Sequence, residues 1–180
     1  MSFRSFASSC VPVCYRRKQA VLALTLLVVS GCGGSAAQKG YTVHGTGFTF
    51  SAPSQWTVSR KGSQVQAAQG TKLISVTRFP LLRSFRPTLW GKVLPELDRA
   101  ATTLARQQQG TVSNPRTVTI GGLKARRYDV DYAGEGKQLV ERIAFVFREK
   151  TEYLLLCRYE RGGDTEACDG LLTSFKLAAA

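Results

Sequence analysis

Few residues in this chain have the types and spacing that chemistry requires. His44 is the single histidine among 180 residues, so a Ser-His-Asp arrangement would have to use it. It falls in the opening, edge segment of the folded part, and no Gly-x-Ser-x-Gly turn exists to present a serine. A surface or edge-strand role is the expectation for it. Asp129 and Asp131 are spaced two apart, which places them on one face of a strand. They could serve as paired carboxylates or as a weak cation site. Arg127 flanks them, and the facing hairpin strand brings Glu141, Arg142 and Arg148, so a cross-strand ion-pair face is the better expectation. Neither the P-loop pattern nor Gly-x-Gly-x-x-Gly occurs. Catalytic residues, a metal site and a cofactor are all expected to be absent. What remains is a surface. Arg78-Phe79-Pro80-Leu81-Leu82-Arg83-Ser84-Phe85-Arg86-Pro87-Thr88-Leu89-Trp90 interleaves arginine with aromatic and aliphatic residues at a strand-to-helix junction, where loops tend to carry function. Arginine beside an exposed ring suits anionic or aromatic ligands and protein hot spots. Arg83, Phe85, Arg86 and Trp90 are therefore the candidate binding residues. The competing expectation is that Leu81, Phe85 and Trp90 seal the end of the core while the arginines point outward.

The five cysteines divide by position. Cys10 and Cys14 lie in a basic leader, and their spacing comes with no His or Cys cluster that would make a metal site. Ala20 to Val29 is an apolar run preceded by Arg4, Arg16, Arg17 and Lys18. Its length falls in the ~7–15 residues of a signal-peptide core and short of the ~20 needed to span a bilayer. Residues 1–31 are thus expected to be a leader. Val29-Ser30-Gly31-Cys32 resembles a bacterial lipobox. That resemblance implies a diacylglycerol thioether on Cys32, cleavage just before it, and two or three acyl chains, palmitate among them, as a durable anchor. The alternatives are an uncleaved anchor or an ordinary secretory signal with an incidental cysteine. Arg16-Arg17 hints at twin-arginine export, but Lys18-Gln19 stand where apolar residues should follow, so the route stays open.

Export makes Cys157 and Cys168 an even pair in an oxidising place, which predicts one disulfide. Closing that short loop is worth roughly 3 kcal/mol in the chain-entropy picture. Cys32 to Gly40 then reads as the lipidated cysteine and a flexible, glycine-rich tether. Cleavage would leave 149 of the 180 residues, the size of one domain. The leader carries four of the 25 basic residues and none of the 12 acids, so nine positive charges remain in excess. Such an excess favours lipid headgroups, anionic wall polymers or an acidic envelope protein, and no nucleic acid is expected outside the cell. Scattered Lys and Arg that merely keep the domain in solution are the bland alternative.

These residues need a scaffold, expected as a single domain over 41–177. Gly47 to Ser51, Trp56 to Ser59, Gln64 to Gln69 and Lys72 to Phe79 read as strands separated by short turns, hence antiparallel hairpins. Leu89, Val93, Leu97, Ala100, Ala101 and Leu104 recur at helical spacing, and Gly110 ends that helix. Glu96, Asp98, Arg99, Arg106 and Gln107 form its solvent face. Pro95 either sits in the first turn of a helix starting near Leu94 or follows a kinked earlier turn. Arg116 to Ile120, Lys124 to Tyr132, Leu139 to Arg148 and Thr151 to Tyr159 are four further strands, with a primed turn at Gly121-Gly122. Leu139 to Arg148 is apolar on both faces and belongs at the centre of the sheet. Asp164 can cap a last helix with Cys168, Leu171, Leu172 and Phe175 inward.

Gly47-Phe48-Thr49-Phe50-Ser51-Ala52-Pro53-Ser54-Gln55-Trp56 and Leu171-Leu172-Thr173-Ser174-Phe175-Lys176-Leu177 resemble the opening and closing segments of PsbP-like domains. The resemblance implies an α+β fold, an α/β/α sandwich. Its central, mainly antiparallel sheet carries one long helix and a shorter C-terminal one. The family includes a photosystem II extrinsic subunit, a Ran-binding protein and actinobacterial lipoproteins of unassigned activity, with no shared catalytic residues. The expected function is a non-enzymatic, lipid-anchored binding or assembly module on the outer face of the plasma membrane. The alternative is a carrier or sensor of a small amphiphile or cell-wall fragment. A deep apolar pocket of several hundred cubic ångströms between helix and sheet would mark the carrier. A filled core below an Arg/aromatic patch would mark the binding module.

Overall fold

The computed structural model describes residues 40–178. The leader 1–31, Cys32 and the tether through Lys39 lie outside the described residues. Gly40, expected in the tether, already belongs to the first strand.

The described chain runs β1 (Gly40–Gly45), β2 (Phe48–Pro53), β3 (Thr57–Lys61), β4 (Gln64–Gln69), β5 (Lys72–Pro80), a 3-10 turn (Pro87–Leu89) and α1 (Trp90–Gln107). It continues with β6 (Thr111–Ile120), β7 (Leu123–Gly134), β8 (Lys137–Arg148), β9 (Thr151–Glu160), α2 (Glu166–Ser174) and β10 (Lys176–Leu177). Seven strands form one sheet in the order β3-β4-β5-β9-β8-β7-β6, and β1-β2-β10 form a smaller one. Every pairing is antiparallel. β9 and β8 lie centrally, which is why Ile143 to Phe147 is buried without a break. Successive side chains there point to opposite faces, and each face has its own cover.

On one face, Leu97, Ala101 and Ala105 of α1, four apart, pack against Tyr128, Val130, Ile143, Phe145 and Phe147. On the other, α2 and the small sheet cover Ile74, Val76, Ala144, Val146 and Leu155. Phe48, Tyr153 and Phe175 form a ring cluster there, with centroids 5.8 to 6.1 Å apart. The fold is therefore α+β, with a mainly antiparallel sheet, one long helix and a shorter C-terminal helix. The second outer layer is shared between α2 and the small sheet, where the resemblance implies helices alone.

One alternative is decided, for helical turns ahead of Pro95, and two local expectations need correction. α1 starts at Trp90, so Pro95 sits inside it. Pro95 is exposed and lacks only the N–H that would reach Gly91, and the buried face at Leu97, Ala101 and Ala105 holds the helix through that lost bond. β6 begins at Thr111, five residues before Arg116. It contains Pro115 because it is an edge strand with an irregularity between Ser113 and Arg116, where Asn114 takes φ 52°. Thr165 is the residue preceding α2 and makes no capping bond; the Asp164 carboxylate accepts the Glu166 N–H at 2.7 Å instead. Gly121 and Gly122 both have positive φ, 57° and 78°, as a primed hairpin turn requires. Cys157 on β9 and Cys168 on α2 form a disulfide with Cα atoms 5.4 Å apart.

Candidate functional site

The segment between β5 and α1 is tied to the β8–β9 turn. The Leu81 N–H donates to the Lys150 carbonyl at 2.8 Å, and the Phe85 N–H to the Glu149 carbonyl at 2.7 Å. Two backbone bonds four residues apart fix the segment as a strap across the end of the sheet. Phe85 stacks on Phe147 with centroids 5.0 Å apart and meets the edge of Trp90 at 6.5 Å. The Lys124 ammonium lies 5.7 Å from the centre of the Trp90 ring, within range of a cation–π attraction. Phe85, Trp90, Leu123 and Phe147 line an open groove of about 260 Å³ that Lys124 and Arg148 also border.

The structure thus brings Phe85 and Trp90 together. With Leu81 they pack on the α1 core, while Arg83 and Arg86 stand in solvent and make no ion pair among the described residues. Beneath the middle of α1 the core is filled; the groove opens at its N-terminal end. The sequence does not single out Leu123, Lys124 or Phe147, and it offers Arg148 only for the ion-pair face. Only the strand register shows that the β6–β7 turn and the end of β8 reach the strap.

The carboxylates are arranged as structural pairs. Asp129 accepts from Arg142 at 3.0 Å, and the same guanidinium reaches Asp169 at 3.3 Å and the Tyr159 hydroxyl at 3.2 Å. Asp131 pairs with Arg161 at 2.6 Å. The expected single face holding Glu141 with Arg142 is corrected: neighbouring residues on β8 point to opposite faces. Glu141 is buried on the α1 side, where it accepts from Arg158 at 2.8 Å, Gln108 at 2.7 Å and Tyr132 at 3.1 Å. Arg148 lies at the far end of β8 and donates to the Ala178 carbonyl instead. Burial, reinforced by Glu141, pushes the Tyr132 phenol up to about 12. Burial and the hydrogen bond to Asp98 do the same for Tyr128. Both phenols stay neutral across the physiological range.

Glu152 is the exception among the acids. Its neighbours across the sheet are Phe79 and Phe147, and burial alone pushes its carboxyl above the ordinary range. It makes no ion pair among the described residues, and no second carboxylate faces it there. His44 is exposed on β1, paired with Thr49. Among the described residues, no three His, Cys, Asp or Glu side chains converge as metal ligands. No described helix is long and apolar enough to cross a membrane.

No family model matches the chain. No curated protein matches it either. Some solved structures are similar to it. A protein from Bacteroides thetaiotaomicron is 13% identical over 79% of this chain, with a TM-score of 0.51, and this chain spans about half (49%) of its length. LpqN of Mycobacterium tuberculosis, which is involved in cell envelope biogenesis, is 11% identical, covers 78% of this chain and 91% of its own, and has a TM-score of 0.47. A Pseudomonas aeruginosa protein of unknown function is 15% identical over 68% of this chain and 84% of its own, with a TM-score of 0.39. At these identities the likeness shows an α+β fold and does not show the PsbP family.

Proposed function

We propose that this chain is a non-catalytic binding or assembly module of the cell envelope, with a PsbP-like domain over 41–177. It is held at the outer face of the plasma membrane by acyl chains on Cys32, after removal of a leader at 1–31, and spaced from the bilayer by residues 32–40. Its contact surface is the strap, with Arg83 and Arg86 outward and the Phe85/Trp90 groove between them and Lys124. The observation that carries this reading is the pairing of a filled core with unpartnered arginines beside open aromatic rings. Buried acids already committed to arginine leave little for proton transfer, which favours binding over catalysis. The partner is an acidic envelope protein, an anionic wall polymer or the lipid headgroups.

A photo-reactive residue at Arg86, crosslinked in intact cells, tests the surface. The expected result is a discrete adduct that a probe at Glu135, at the other end of the sheet, does not give. Equal labelling from both positions would overturn the reading. Mass spectrometry of the mature protein tests the anchor: Cys32 should be its acylated first residue. The groove favours a second reading, in which it holds the apolar part of a small amphiphile. Phe147→Ala would then weaken ligand retention while leaving the adduct at Arg86 intact.

A further inference from the structure

Charge is unevenly divided along this chain. All 12 acids lie at or after Glu96, whereas 12 of the 25 basic residues precede it. Within the described residues, the fold gathers an unbalanced share of the basic residues at one end of the large sheet. Register places the β3–β4, β6–β7 and β8–β9 turns and the strap at one end of the large sheet, because Lys61 pairs with Gln64, Ile120 with Leu123, and Arg148 and Pro80 both with Thr151. The Arg78 N–H donates to the Ser63 carbonyl at that same end. Lys61, Arg78, Arg83, Arg86, Lys124 and Lys150 are all exposed there, against one exposed acid, Glu149. The turns at the opposite end carry Glu135, Glu160 and Asp164 beside Lys72, Lys137 and Arg161, which balance them; Glu160 pairs with Lys137 and Asp164 with Lys72.

The basic end also carries apolar side chains that the fold leaves uncovered. Leu82 is 101% exposed and Phe79 41% exposed, two of the three large hydrophobics exposed among the described residues. Leu82 sits at the crest of the strap, between the two backbone bonds that hold it. A folded core gains nothing from a leucine in that position. An anionic wall polymer would reward the arginines and not the leucine. A bilayer surface rewards both: apolar side chains enter the acyl boundary while the cations meet anionic headgroups.

We propose that the strap from Arg78 to Arg86 is an interfacial element that docks the domain on an anionic bilayer, with Leu82 and Phe79 inserted and Arg78, Arg83 and Arg86 on headgroup phosphates. This deepens the reading above by naming what the strap touches, and it rests on the strap being a contact surface.

The test uses the mature chain from residue 32 with Cys32→Ala, so that neither the leader nor an acyl chain contributes, and vesicles of phosphatidylcholine with or without phosphatidylglycerol. The chain should partition onto the anionic vesicles more strongly, and amides 78–86 should gain protection from hydrogen exchange there. Leu82→Asp, at a fully exposed position, should lower that partition about tenfold. Arg83→Gln with Arg86→Gln should lower it about fivefold per charge and flatten its salt dependence. Arg106→Gln, at the far end of α1, should change nothing. Equal partition on neutral and anionic vesicles, or no response to both strap variants, would overturn the proposal. If the Arg86 probe nevertheless captures one envelope protein in cells, the contact surface stands and its partner is that protein. Without partition and without an adduct, both readings fall.

Discussion

Two side chains show how far a single residue can be read. Asp98 was assigned to the solvent face of α1 by helical spacing, and its carboxylate is indeed half exposed. Yet it accepts the Tyr128 hydroxyl at 2.5 Å and pairs with Arg126, fastening helix to sheet. Nothing in the spacing of α1 announces this, because the partner lies 30 residues away on β7. Tyr128→Phe and Asp98→Ala should each cost about 1–2 kcal/mol in urea unfolding, and the double variant little more than either alone. Glu152 gives a pH signature. Its carboxyl is raised in the folded state, so its contribution to stability is fully present at acid pH and is lost as pH rises through the raised value. Glu152→Gln should stabilise the domain by up to about 1 kcal/mol at neutral pH, and the gain should vanish below pH ~4 in a series of thermal melts.

At the scale of elements, hairpins were legible because their turns are short and rich in glycine. The long helix was legible because Leu97, Ala101 and Ala105 keep a four-residue period. Its start stays open between two positions in the sequence, because Pro95 argues locally against a helix that tertiary burial sustains. The small sheet was missed: β10 is two residues long, and only its pairing with Phe48 and Thr49 gives it meaning. α1 ends at Gln107 with Gln109 at φ 55°, and Gly110 just beyond is glycine for a reason that spacing cannot show, since a Cβ there would lie 2.5 Å from the Asp131 carbonyl oxygen. The Cys157–Cys168 bond joins the central strand to the helix that covers it. Cys157→Ala with Cys168→Ala should lower stability by roughly 3 kcal/mol in denaturant titration, and a reductant should then have no further effect.

Across the whole molecule, the fold class was readable and the partner was not. Layering follows from alternation and period, which one chain carries in full. A partner is recognised by what converges in space, and here that convergence depends on a seven-strand register. Removal of Phe175 to Ala180 tests how the layers cooperate. Phe175 is 1% exposed and closes the ring cluster with Phe48 and Tyr153, so the shortened chain should lose at least about 3 kcal/mol or fail to melt cooperatively. Phe175→Ala alone should show most of that loss in the same melts.

The last described strand is hydrogen-bonded to nearly the first. β10 lies against β2, and the Ala178 N–H reaches back to the Gly47 carbonyl. Synthesis therefore cannot finish the domain piecemeal: until Phe175 and β10 have been made, the aromatic side chains of β2 have no lid. Were the chain exported as proposed above, that delay would keep the passenger pliable while it is threaded across the membrane.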